Sequence, residues 1–518
     1  MENVEVLLEL MRFLERTLRF GEVIAGTASE EALVGWLARE LEELGWEVCL
    51  RKIEVDSWRD FGGFLDVGGK LVKGVVTPPT LSGEVEGRLI AVSEPLSENW
   101  PSLDGEIALC ELPRDPDELK TVYLRCVEAG GSGLVVYDFA PRRVRRIMVA
   151  GVWDYRWKPA SPPPIPCLFI SREEGMMLIK ENGSWGRLHC RSEVVRSYGY
   201  TVEATREGVE DGFVVVSCHH DHWLTGASDD LVGVAMLLKL AERVGGGRAG
   251  YGLKLVSFTA EESGAPDFQP WYWIHGSRSY VRELEREGKL DSVIAVVNVD
   301  SCSRRPVHLA GSPEIRSLLE KAFSSKGLSY VPELDTSYCD SYSFTLAGVP
   351  AITLHSLPAI LDIYHSSADT MEAIDWSLVK AEFLALEVAL RELLDKGWNA
   401  LDYDAYWVEV SKHLKMAADF ADINLKLEKP RKPKEFFREL TKSCVRAVFK
   451  GDYREEVGWF KTALFPELQP LFDFLRNGKV HKKYVIPGEE REFSVDRELR
   501  EYVRMILDKV LGFLESSE

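Results

Sequence analysis

Apolar positions return every three or four residues along Glu5–Leu18 and Ser29–Leu44, a spacing that gathers them on one face of a helix. Thr27 or Ser29 caps the second helix, acids fill its first turn, and Gly45 closes it. A strand over Trp46–Val55 follows. From about residue 60 to residue 200 the pattern shortens into β-rich runs, Leu89–Ser93, Glu106–Leu112, Leu134–Phe139 and Cys167–Ser171, with one helix at Asp117–Ala129 and a stiff proline stretch at Ser161–Pro164. That change of texture predicts an inserted domain. Beyond Tyr200, the runs Phe213–Ser217, Leu253–Thr259, Val293–Val299 and Ala351–Leu354 are apolar on both faces and alternate with helical stretches such as Leu231–Val244. Strands with no polar face belong in a parallel or mixed sheet covered by helices. The fold class expected is therefore α/β, a mixed central sheet flanked by helices, with a β-rich insertion and a helical C-terminal part. Residues 1–60 and 196–395 are expected to form the two segments of the main domain, 61–195 the insertion and 396–518 the helical part. Val495–Leu514 ends the chain with Leu499, Val503, Ile506, Val510 and Phe513 in one apolar stripe, read as core packing.

The chain has 518 residues, enough for roughly three folding units of ~100–200 residues each. A hydrophobic content of 45% excludes disorder, and no run approaches the ~18–20 apolar residues of a membrane span. With 63 Lys and Arg against 83 Asp and Glu, the net charge of −20 repels a phosphate backbone unless the cations are gathered, and only Lys429–Lys434 gathers them. Neither nucleic acid nor membrane is an expected partner. The first turns interleave Glu and Arg with Leu, unlike a secretory signal, and nine cysteines without a CxxC fit no disulfide framework or zinc ribbon, so a cytoplasmic location is expected. Only Gln269 and Gln469 represent glutamine, a bias expected of a thermophile.

Ligands of open α/β sheets bind beyond the carboxyl ends of the strands. After Phe213–Ser217 come His219, His220, Asp221 and His222, then Asp229 and Asp230; after Leu253–Thr259 come Glu261 and Glu262; after Val293–Val299 comes Asp300; beyond Ala351–Leu354 a loop reaches Tyr364 and His365. Singly, each group is an ordinary surface or turn feature. Together, carboxylates converging beside apolar strands would repel and lose hydration unless positive charge sat among them. Two imidazoles and three carboxylates suit zinc; five ligands exceed one four-coordinate site and suit two ions sharing a carboxylate, which leaves the first glutamate free as a base.

The sequence His219-x-Asp221, with Asp229, Glu261-Glu262, Asn298-x-Asp300 and Tyr364-His365 in that order, resembles the dizinc peptidases that include aminopeptidases and glutamate carboxypeptidase. Gly26-Thr27 and Asp340–Pro350 are also similar to that family. The resemblance implies a metal-dependent exopeptidase acting on peptide substrates, in which Asp229 bridges two zinc ions, His219 and Asp300 complete one, and Glu262 and His365 the other; cobalt and manganese are alternatives. It further implies that Asp221 orients the His219 imidazole, that Glu261 acts as the general base on the shared water, and that Tyr364 hydrogen bonds the oxyanion, with His220 and His222 as bystanders. The region Gly105–Ser171 resembles a protease-associated domain, and the helical end, by position, resembles a dimerisation region, so a homodimer is expected. An aminopeptidase is the first expectation. A carboxypeptidase or amidase would need a basic cluster at the site, for which Arg304 and Arg305 are the nearest in sequence, and a non-catalytic receptor-like module would be expected to have lost ligands. One departure from the family is the aromatic Ser263–His275 insertion, either a surface excursion or a wall of the substrate pocket.

Overall fold

The computed structural model describes residues 2–149, 163–244, 249–266, 272–335 and 338–429, and towards the C-terminus 468, 471, 474–475, 478, 484–486, 489–491 and 496–516. Its strands, in chain order, are β1 (Glu47–Val67), β2 (Lys70–Val76), β3 (Gly83–Val92), β4 (Ile107–Glu111), β5 (Gly133–Tyr137), β6 (Cys167–Ile170), β7 (Trp185–Arg206), β8 (Phe213–His219), β9 (Gly252–Phe258), β10 (Val293–Val299), β11 (Val307–Gly311), β12 (Tyr330–Glu333) and β13 (Ala351–His355). These thirteen belong to one sheet, and Tyr484–Ile486 and Glu489–Arg491 pair as a separate two-stranded one.

Two long strands organise it. β1 and β7 pair antiparallel along their lengths, Glu47 opposite Thr205 at one end and Val67 opposite Gly186 at the other. Their outer halves also pair with β2 and β3, and the remaining pairings β2–β6, β6–β5, β5–β4 and β4–β3 close a seven-strand ring. Closure leaves this part no free edge to pair with other chains. The inner end of β7 pairs with β9 and so joins the ring to the mixed sheet β7-β9-β8-β10-β13-β11-β12. Residues 61 and 195, expected as boundaries, lie inside β1 and β7, which run from ring to sheet with a shift of their pairing register between Asp60 and Gly63.

In the mixed sheet, β9, β8, β10 and β13 are parallel neighbours, while β11 is antiparallel to β13. Their side chains alternate between two buried layers. Val214 and Val216 join a core formed with α1 (Glu2–Thr17), α2 (Ala28–Glu43), α3 (Val232–Arg243), α4 (Pro313–Ser325) and α5 (Trp376–Lys396). Val215 joins the opposite layer, against Tyr280, Leu284 and Phe344. Strands covered on both faces read as unbroken apolar runs, which is why these were visible in the sequence. β2, β11 and β12 were not; β12 is partly exposed and carries no alternating signal. The Thr27 side chain accepts from the Glu30 amide and caps α2.

In the C-terminal part, α6 (Tyr403–Phe420) and α7 (Asp496–Ser516) share a core in which Val410, Leu414 and Ala417 meet Leu499, Val503, Ile506 and Val510, and which extends to Tyr272, Trp273 and Ile274. The side chain of Phe513, residues 430–434 of the basic cluster and residues 161–162 of the proline stretch lie outside the described residues. Among the described residues, no helix is long and apolar enough to cross a membrane.

Candidate metal centre

The ends of the parallel strands deliver the expected side chains to one point. His219 closes β8 and is buried; its Nδ1 donates to the main-chain carbonyl of Asp221 at 2.8 Å. A carbonyl can only accept, so the proton sits on Nδ1 and the Nε2 lone pair faces inward. That Nε2 lies 3.3 Å from Asp229 Oδ1 and 3.8 Å from Asp300 Oδ1. The other oxygen of Asp229, Oδ2, lies 3.3 Å from His365 Nε2, which is also 2.9 Å from Glu262 Oε2. Asp229 therefore stands with one oxygen toward each imidazole. Two groups of ligand atoms result, His219–Asp229–Asp300 and Asp229–Glu262–His365, each with all its atoms within 4.8 Å of one another.

The electrostatics call for cations. His219 Nε2 and Glu262 Oε1 are buried without a hydrogen-bond partner. Burial pushes the Glu262 carboxyl up to about 7 and Glu261 well above its usual value. Burial also opposes the charged form of His365, yet Glu262 and Asp229 outweigh it and lift the imidazole to about 10. A cluster that raises its histidines against burial is a well of negative potential, and nitrogen and oxygen donors at these spacings fit divalent zinc.

Local structure explains how the chain holds this arrangement. Gly226 adopts φ +58°, and a Cβ there would lie 2.4 Å from the His222 ring, so only glycine lets the chain turn into Asp229. Both oxygens of Asp369 accept from the Ser228 amide, at 2.8 and 3.0 Å, and one also from the Asp229 amide at 3.1 Å. Asp230, beside the bridging position, turns away and accepts from the amides of His219, Gly233 and Ser301. Left-handed backbone occurs at Ala260 (φ 51°), Ser301 (φ 52°) and His365 (φ 51°), each at or next to a cluster residue. Strain of this kind, of order 1–3 kcal/mol each, persists where surrounding structure fixes it for a site.

Asp221 reaches His219 through its main chain. Its carboxylate does not touch His219; it accepts from the amides of Glu261 at 3.0 Å and Glu262 at 3.1 Å, and so aims the glutamate pair, while its main-chain carbonyl orients the imidazole. His220 points away, to Ser257 Oγ at 2.9 Å and Glu30 Oε1 at 3.4 Å, and His222, which burial holds down to about 3, belongs to neither group.

Asp229, Glu261, Glu262, Asp300 and His365 line a cavity, together with Ser301, Tyr338, Cys339, His355, Leu357 and Tyr364. Tyr364 stacks on His365 with ring centroids 3.6 Å apart. No Arg or Lys is among these lining residues; Arg304 is taken up by Ala373 O and Asp362, and Arg305 lies 4.0 Å from Asp375. From the Ser263–His275 insertion, Trp273 stacks on Tyr338 at 6.4 Å and the Ile274 amide holds the Glu261 carbonyl at 2.6 Å. Among its described residues the insertion thus backs the cavity wall rather than lining it, and Phe268 and Trp271 lie outside the described residues.

The sequence reading missed the supports. Asp369 and Glu30 carry no motif of their own; Glu30 is fully buried and accepts from the Gly26 amide at 2.6 Å and from Thr259. Arg145, from the segment preceding residue 150, is also missed. It is fully buried, pairs with Asp138 at 2.6 Å, and donates to the carbonyls of Leu361 and Tyr364 at 2.8 Å and to that of Asp362 at 2.5 Å.

Residues 201–388 match the model of peptidase family M28. No curated protein matches the chain. Among solved structures it is similar to a zinc aminopeptidase from Bacillus subtilis (17% identity, 78% of this chain and 98% of that one, TM-score 0.60). It is also similar to a peptidase M28 precursor from Shewanella amazonensis (16%, 76% and 97%, TM-score 0.59) and to an aminopeptidase from Aneurinibacillus sp. strain AM-1 (17%, 75% and 93%, TM-score 0.52). At such identities the likeness is one of fold. The residues matched by that family model carry His219, Asp229, Glu261, Glu262, Asp300 and His365, on the mixed α/β sheet flanked by helices of the zinc-exopeptidase fold.

Proposed function

We propose that this chain is a dizinc aminopeptidase, which removes residues from peptides bearing a free amino terminus. The observation that carries the proposal is the placement of Asp229 between His219 and His365, one oxygen to each. In this reading His219 and Asp300 hold one ion, Glu262 and His365 the other, and Asp229 both. Bound there, two divalent ions would polarise the scissile carbonyl and acidify a water molecule.

The chain's own residues supply the rest. Glu261 lines the cavity and lies 4.0 Å from His219 Nε2, unshared with either ligand group, so its carboxylate is free to take a proton and return it to the leaving amine. Asp221 aims that glutamate through its amide. Tyr364 forms part of the wall beside His365, and in this reading its hydroxyl donates to the oxyanion.

The polarity of the cavity favours an amino terminus over a carboxyl terminus. No Arg or Lys stands among its described lining residues to hold a terminal carboxylate, whereas a free amine needs no such cation. The ring of β1–β7 is read as a protease-associated domain, and α6 with α7, which expose Val408 and Met505, as a surface for homodimerisation. Free cysteines throughout the described residues support a reducing compartment.

Aminoacyl substrates with free and with acetylated amines, assayed before and after chelation, test the activity. Turnover of the free amines alone, abolished by chelation and restored by zinc, is expected. Equal turnover of acetylated substrates, or activity that survives chelation, contradicts it.

A further inference from the structure

A second cluster lies one strand beyond the catalytic one. His308 of β11 and His355 of β13 are direct cross-strand partners, and Val331 of β12 lies opposite His308. Side chains alternate along a strand, so Glu333, two residues beyond Val331, falls on the same face as both histidines. The rings stack with centroids 5.0 Å apart. Glu333 Oε1 is 2.9 Å from His308 Nδ1 and its Oε2 is 3.8 Å from His355 Nε2, and ligand atoms from the three residues all lie within 4.8 Å of one another. These spacings span the same range as those around Asp229.

Both imidazoles are more than nine-tenths buried, at 6% and 5% exposed. Nε2 of His308 and Nε2 of His355 have no hydrogen-bond partner, and Nδ1 of His308 faces Glu333 alone. Buried polar atoms are nearly always satisfied, and two imidazole nitrogens left over beside one carboxylate mark a missing partner. One contact opposes a ligand at His355 Nε2: the Leu357 amide donates to Nδ1 at 3.3 Å, and ligation at Nε2 moves the ring proton to Nδ1 and gives that contact up. A single long hydrogen bond is weak beside bonds to a metal from a carboxylate and two imidazoles.

We infer that His308, Glu333 and His355 form a third divalent-cation site, a mononuclear zinc site separate from the pair at Asp229. Two imidazoles and a carboxylate are a zinc donor set, and the partial exposure of Glu333 leaves a fourth position to water. The ion ties the edge strand β12 to β11 and β13. It thereby stiffens the end of β13, where His355 and Leu357 form part of the catalytic cavity wall.

The test is zinc stoichiometry of the tag-free full chain, dialysed to equilibrium against buffered zinc and measured by elemental analysis. Three ions are expected in the wild type, two in His308→Gln, and one in Asp229→Ala. Glu333→Gln, at a partly exposed position, serves as the milder variant and is expected to weaken zinc binding by at least tenfold at one site only. Equal stoichiometry in the wild type, His308→Gln and Glu333→Gln overturns the third site. A wild type that binds two ions, with none left in Asp229→Ala, refutes the third site while the catalytic pair stands. Loss of one ion in His308→Gln but none in Asp229→Ala supports the third site and refutes the pair.

Discussion

Arg145 Nη1 donates to the main-chain carbonyl of Tyr364 at 2.8 Å, and the amide of the next residue, Arg146, donates to the carbonyl of His365 at 2.9 Å. The loop that presents the His365 imidazole to the cluster is thus held by the segment that follows β5. A fully buried guanidinium is costly unless every donor is met, and here Asp138 and three carbonyls meet it. Lysine retains the charge but cannot reach three carbonyls and a carboxylate together. Arg145→Lys is expected to lower kcat by about 10- to 100-fold and to weaken retention of one of the two catalytic ions, as read by steady-state kinetics and metal analysis, with KM little changed.

Gly226 permits the turn into Asp229. Alanine there takes on both an unfavourable φ and a Cβ 2.4 Å from the His222 ring. Gly226→Ala is expected to cost about 2–4 kcal/mol in a denaturant titration and to reduce activity further than the loss of folded protein explains.

Glu382 on α5 gives a pH prediction that does not involve the metal sites. Neither of its carboxylate oxygens has a hydrogen-bond partner, and burial pushes it from the usual 4.5 up to about 8. A carboxyl whose value is raised on folding binds its proton more tightly in the native state, so stability falls as pH climbs from about 4.5 to about 8. Glu382→Gln removes that slope. The variant is expected to match the wild type near pH 5 and to exceed it near pH 9, by an amount of order a few kcal/mol at most, in denaturant midpoints measured at each pH.

Glu261→Gln tests the proposed base separately from the proposed ligands. The substitution is nearly isosteric and removes a carboxylate that neither ligand group uses. Turnover is expected to fall by about 10³-fold or more while both ions stay bound; kinetics and elemental analysis on the same sample decide it.

What the sequence disclosed follows from how each feature is encoded. The parallel strands were legible because burial on both faces writes continuous apolar runs such as Val293–Val299. The cluster residues were legible because each directly follows such a run or sits in a short motif, as Glu261 and Asp300 do. The ring of β1–β7 was seen only as texture. Its closure depends on which strands pair, and no local pattern records that Val67 lies opposite Gly186. Supports such as Arg145, Asp138 and Asp369 were invisible for a related reason: an isolated charged residue reads as surface until the fold supplies the carbonyls and amides that bury it. The motif pointed to Asp221 beside His219 but not to which of its atoms makes the contact, which is the backbone carbonyl.

The central claim is that two ions share Asp229. Anomalous scattering at the zinc edge from crystals of the metal-loaded protein tests it most directly. The account predicts two peaks about 3.5–4 Å apart, one among His219, Asp229 and Asp300 and the other among Asp229, Glu262 and His365. A single peak within the cavity, or peaks that leave Asp229 bound to only one ion, would contradict it.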